Sequence, residues 1–121
     1  MANLYMYSGI ASAMYTVYAG LKFYALTGDG LIKGEDAKKY DIKHVIDVRT
    51  GVEWNLGHFK GAKHIPTGSI SEDTLRNIPK NDAILVYCNT GQRARRAAEK
   101  IRSYGYNKVY YIEGTYKSLK L

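Results

Sequence analysis

Ala83-Ile84-Leu85-Val86-Tyr87-Cys88-Asn89-Thr90-Gly91-Gln92-Arg93-Ala94 is the stretch that decides the fold. Its first five residues are a short apolar run, the length and composition of a strand covered on both faces, which predicts a strand over Ala83–Tyr87. Cys88 follows at once. Gly91 then breaks the chain, and a helix is expected over Ala94–Tyr104, closed by Gly105. Buried strand, short loop, helix is the repeating unit of an α/β sheet.

Working outward, the same alternation recurs. His44–Val48 (His-Val-Ile-Asp-Val) predicts a second short strand, and Val109–Ile112 a last one. His64-Ile65-Pro66 is a brief strand halted by proline. Short helices are expected over Gly34–Lys39, Val52–Leu56 and Ser71–Asn77; the last has Glu72 and Asp73 in its first turn, where acidic groups suit the helix dipole. Strands alternating with helices imply an α/β fold with a mostly parallel central sheet flanked by helices. No internal repeat and no low-complexity segment interrupts it.

The first part of the chain has a different character. No charged side chain precedes Lys22, and the apolar run extends from Leu4 through Leu26 if Lys22 extends to water. Small residues recur about every fourth position, and tyrosines stand near both ends, features of a transmembrane helix. A helix packed on the domain and a cleaved signal fit the same residues. The organisation expected is therefore an apolar N-terminal helix over residues 1–26, read as a membrane anchor, a linker over residues 27–32, and a catalytic domain over residues 33–121. Positive charge beginning at Lys22 and a single unpaired thiol favour a cytoplasmic location for that domain.

With 121 residues, 45% of them hydrophobic and 24% charged, the chain is one domain in size. A net charge of +7 points to anionic partners. The basic residues are dispersed and no nucleic-acid-binding motif is present, so a nucleic-acid partner is not expected. Twelve tyrosines against two phenylalanines is an excess that composition alone does not explain. Cys88 is the one cysteine, which excludes an internal disulfide and any cysteine-rich zinc site.

A lone cysteine is most simply a small buried hydrophobe. Its setting argues otherwise. The strand delivers Cys88 to the carboxyl edge of a parallel sheet, where open α/β folds take their ligands. The loop Asn89, Thr90, Gly91, Gln92 and Arg93 can turn successive backbone N–H groups toward one point, and the helix after it adds positive potential. Both favour negative charge on sulfur, and Arg93 brings a permanent cation.

These residues resemble the rhodanese family. Val45-Ile46-Asp47-Val48-Arg49 is similar to its strand ending in Asp-Val-Arg. Glu53-Trp54 with Gly57-His58-Phe59-Lys60-Gly61-Ala62 and Ile65-Pro66 is similar to its Glu-aromatic, Gly-His-Ile-x-Gly-Ala and Ile-Pro run. Cys88–Arg93 matches the Cys-x-x-Gly-x-Arg active loop, and Ile112-Glu113-Gly114 resembles the closing Glu-Gly-Gly. Thr115-Tyr116 departs from that last pattern, which puts substrate access, not the chemistry of Cys88, in question. The resemblance spans about Lys33 to Leu119.

What it implies is a sulfurtransferase. Cys88 takes a sulfane sulfur as a persulfide, from thiosulfate or another small anionic sulfur donor, and passes it to a thiol, cyanide or a protein acceptor. No metal and no organic cofactor is expected. Asn89, Thr90, Gly91, Gln92 and Arg93 form the cradle, with Asp47 and Arg49 supporting it, for which a structural ion pair is the simpler reading. His58 belongs to a structural turn in the family pattern; His44 and His64 read as strand and turn residues, and Arg95 and Arg96 as a solvated helix face. Cysteine phosphatases on this fold place the arginine one residue further on, around a wider cradle for a tetrahedral oxyanion. The alternatives are a module that carries sulfur without turnover, and a phosphatase or arsenate reductase.

Overall fold

The computed structural model describes residues 30–121. Five strands form one sheet: β1 (Leu31–Ile32), β2 (His44–Asp47), β3 (Lys63–His64), β4 (Ile84–Tyr87) and β5 (Val109–Ile112). Their order across the sheet is β1-β5-β4-β2-β3, and every pairing is parallel. Two α-helices, α1 (Gly51–Asn55) and α2 (Gln92–Ser103), accompany it, with 3-10 helices at Gly34–Tyr40, Thr67–Ser69 and Tyr116–Ser118.

The strands separate two cores by simple alternation. Ile46, Val48, Ile84, Val86, Cys88, Val109 and Tyr111 face one side, where Ala94, Ala97, Ala98 and Ile101 of α2 cover them. Val45, Leu85, Tyr87, Tyr110 and Ile112 face the other, packed with Ile32, Ala37 and Leu119. The α2 contacts recur at i, i+3, i+4 and i+7, one stripe of a helix, and its three alanines let the helix lie close on the sheet. Each fully buried Ile or Leu in these layers contributes about 1.5–3 kcal/mol of transfer free energy. Gly105, at φ +101°, ends α2 in the left-handed conformation that suits glycine.

Three expectations need correction. Leu31–Ile32 is not linker: it is β1, paired in parallel with Tyr111–Ile112. The Ser71–Asn77 segment carries the expected cap, with Thr74 N donating to Ser71 Oγ at 3.2 Å. It nevertheless forms a succession of turns rather than a helix. Pro79 closes the segment before a helix can extend. Tyr106 Oη ties its backbone down instead, shared between Leu75 O at 2.7 Å and Ile78 O at 2.9 Å. The helix after the loop begins at Gln92, two residues earlier than expected. The segment over residues 1–26, read as a membrane anchor, lies outside the described residues. Among the described residues no helix is long and apolar enough to cross a membrane.

Candidate active site

The site begins where β4 ends. Cys88 is fully buried, on the same side of the sheet as Ile84 and Val86. Its Sγ accepts from Gly91 N at 3.1 Å and from Ala94 N at 3.4 Å. The first of these amides lies in the loop and the second in the opening turn of α2, so a short cradle and a helix N-terminus converge on one sulfur. Gly91 makes the turn at φ +97°. A side chain there would meet Glu113 Cα and Cγ at 3.2 Å and Ile112 O at 3.3 Å. The loop can therefore fold against the end of β5 only with a glycine at this position.

The cradle rests on an ion pair at the end of β2. Asp47 is 0% and Arg49 5% exposed. Arg49 Nη2 and Nε reach Asp47 Oδ2 at 2.7 and 3.1 Å, and Nε also meets Oδ1 at 3.0 Å. The same guanidinium donates to Gly57 O at 2.6 Å and to Asn89 Oδ1 at 3.4 Å, and lies over the rings of Tyr87 and Tyr116. One side chain thus joins β2, the turn after α1 and the active loop. Burial alone raises the Asp47 carboxyl, but hydrogen bonds from Arg49 and Tyr87 outweigh it and hold the group below the ordinary range. Burial, with Asp47 beside it, pushes the Tyr87 phenol well up, so it stays protonated. Its oxygen accepts from Phe59 N at 3.0 Å.

A second carboxylate stands on the other side of the loop. Thr50 and Glu53 form a reciprocal cap at the start of α1: Thr50 Oγ1 accepts from Glu53 N at 3.3 Å while Thr50 N donates to Glu53 Oε1 at 2.9 Å. None of α1 is buried, so these bonds, not a core face, define it. Glu53 also receives Arg93 through two bonds, Nη1 to Oε1 at 2.8 Å and Nη2 to Oε2 at 3.0 Å. Asn89 Nδ2 donates to Oε2 at 2.6 Å. Arg93, then Thr50, lower the Glu53 carboxyl to about 2.

The structure therefore brings Cys88, Asn89, Gly91 and Arg93 together with Asp47 and Arg49 behind them. Thr90 and Gln92 are exposed on the loop. His58 is exposed, with Nδ1 3.0 Å from Trp54 O and its ring stacked on Trp54 at 3.4 Å, which is a turn-forming role. His64 Nε2 lies 2.8 Å from Arg49 O, and His44 pairs with Asp82 at 2.9 Å. Sequence reasoning missed the place of Glu53 in the loop. The Thr-x-x-Glu spacing was a readable capping signal, but its link to Arg93 exists only in three dimensions.

The family model described as the Rhodanese-like domain matches residues 29–121. The chain is similar to a probable adenylyltransferase/sulfurtransferase, MoeZ, of Mycobacterium tuberculosis, 34% identical over 71 residues that cover 58% of this chain and 18% of that protein. It is similar also to the tRNA uridine(34) hydroxylase of Escherichia coli, 34% identical over 74 residues, 57% of this chain and 21% of that one. The chain thus spans about a fifth of the length of these curated relatives. Among solved structures, a rhodanese with anions from Escherichia coli superposes with a TM-score of 0.58 at 33% identity, over 64% of this chain and 92% of that one. The chain belongs to the rhodanese-like domain family.

Proposed function

We propose that the protein is a sulfurtransferase in which Cys88 carries the sulfur as a persulfide. The observation that carries this reading is the convergence of Gly91 N and Ala94 N on Cys88 Sγ. Two fixed N–H donors stabilise negative charge that sits on the attacking sulfur and then on the outer sulfur of the persulfide. In the transfer step Cys88 Sγ attacks the sulfane sulfur of the donor. A new S–S bond forms, the donor's own bond to that sulfur breaks, and its electron pair leaves with the donor remainder. Attack of a nucleophilic acceptor on the outer sulfur then restores the Cys88 thiolate. No external oxidant or reductant is required.

The loop also argues against phosphate chemistry. Arg93 closes a Cys-x4-Arg ring, and its guanidinium is engaged by Glu53 rather than pointing freely at an oxyanion. Two tests decide. After treatment with thiosulfate or glutathione persulfide, intact mass should show one added sulfur on the wild type and none on Cys88→Ala. With cyanide as acceptor, the wild type should release thiocyanate and the variant none. Absence of the adduct with both donors overturns the reading; an adduct without turnover identifies a carrier module, and hydrolysis of an aryl phosphate identifies the phosphatase.

A further inference from the structure

The arginines that touch the active loop are both neutralised. Arg49 is forked onto Asp47 within the core. Arg93 is forked onto Glu53. The Glu53 carboxylate is itself fixed by Thr50 and Asn89, so the pair is a rigid, oriented unit, not a mobile surface contact. An anion approaching Cys88 meets the amides of Gly91 and Ala94 together with a cation whose charge Glu53 already balances.

From this we propose that Glu53 sets the donor preference of Cys88 by neutralising Arg93, so that the enzyme favours a persulfide, R–S–S⁻, which brings one negative charge to the reacting sulfurs, over thiosulfate, which brings two. The proposal rests on the persulfide chemistry above. With a persulfide donor, the Cys88 thiolate bonds to the outer sulfur, the donor S–S bond breaks, and R–S⁻ leaves and takes a proton from water. With thiosulfate the same attack expels sulfite. The steps are alike in electrons and differ in the charge brought to the site. Two negative charges near a carboxylate, with no uncompensated cation on the loop, are repelled about twice as strongly as one. The two amide donors suffice for one delocalised charge on sulfur and leave the second unmet.

Donor kinetics on the full chain test this, with cyanide as acceptor and the Cys88→Ala protein as the blank. Wild type should show a higher kcat/KM with glutathione persulfide than with thiosulfate. Glu53→Gln should raise kcat/KM for thiosulfate by about tenfold, equivalent to about 1.4 kcal/mol, chiefly through KM. The same variant should raise the thiosulfate-to-glutathione-persulfide ratio of kcat/KM by at least about fivefold, whatever change the two donors share. In Glu53→Gln/Arg93→Gln the gain should vanish, because the released cation is gone. Equal changes for both donors, or a gain that survives in the double variant, overturns the proposal. A purely structural Glu53 would lower both donors together.

The wild type alone supplies a second reading that needs no variant to fold. Sulfate, a dianion of similar shape without a sulfane sulfur, should leave turnover of glutathione persulfide unchanged at constant ionic strength. Competitive inhibition by millimolar sulfate overturns the proposal. Failure of the persulfide chemistry itself is a separate result, the missing sulfur adduct on Cys88. A persulfide borne on a protein has the same chemistry, and comparing a persulfidated protein thiol with glutathione persulfide distinguishes the two carriers.

Discussion

Arg49 holds more of the site than any other side chain, although it touches no reacting atom. It satisfies Asp47, the Gly57 carbonyl and the Asn89 side chain from one guanidinium. Truncation to alanine strands a fully buried carboxylate, and breaking a buried pair in that way typically costs about 3–5 kcal/mol. Arg49→Ala is therefore expected to lower the unfolding free energy from urea titration by that amount, with activity falling as Asn89 loses its support; an Arg49→Ala value within about 1 kcal/mol of wild type would show the pair to be dispensable. Lysine cannot reproduce two bonds to Asp47 and one to Gly57 at once. Residues of this kind were half legible in sequence. Asp47 and Arg49 announced an ion pair at a strand's end, and Cys88 announced itself by following a buried strand into a glycine loop. Glu53 did not, because its partner Arg93 lies 40 positions away.

At the scale of elements, the active loop depends on one backbone conformation. Gly91 combines φ +97° with a close approach to Glu113 and Ile112, and its N–H is one of the two that reach Cys88 Sγ. Gly91→Ala introduces both strain and a contact at 3.2 Å with backbone. A stability loss of about 1–3 kcal/mol is expected for the conformation alone. The more telling change is in rate: the sulfur loses an oriented donor, so kcat should fall about a hundredfold, the lower end of the range for removing such a donor. A glycine variant with wild-type kcat in the cyanide assay would show that the loop amide does not matter. β2, β4, β5 and both α-helices were visible beforehand, as were the helical segment at Gly34–Tyr40 and a brief strand at His64, whereas β1 was not. β1 has two residues, and two residues carry no period; only its pairing with Tyr111–Ile112 makes it a strand. Ser71–Asn77 had a helix's opening signals, yet the segment runs as turns, with Tyr106 bonding the Leu75 and Ile78 carbonyls. Tyr106 and Tyr87 also account for part of the tyrosine excess, each burying a ring while its hydroxyl secures a loop.

The whole molecule couples these local pairs to its charge. It carries 18 lysines and arginines against 11 acidic residues. Two of those acids, Asp47 and Glu53, have carboxyls depressed in the folded state, Glu53 to about 2. The unfolded chain titrates such groups near the ordinary 4 to 4.5, so it binds protons first as the pH falls. The stability these pairs supply is complete above about pH 5, and it is lost progressively as the pH drops from there toward about 2. Over the same interval the remaining carboxylates discharge, leaving the cations unopposed and adding general repulsion. The melting temperature is accordingly expected to be flat from pH 7 to 5 and to fall steeply below about 4.5. Salt at 0.5 M should lessen the general repulsion while leaving most of the buried Asp47 contribution in place. Glu53→Gln separates the local from the global effect: it removes one depressed group, so its melting temperature should start lower at pH 7 and decline less between about pH 4.5 and 2 than wild type. A Glu53→Gln profile parallel to wild type across that window would mean the Glu53–Arg93 pair contributes nothing to folding.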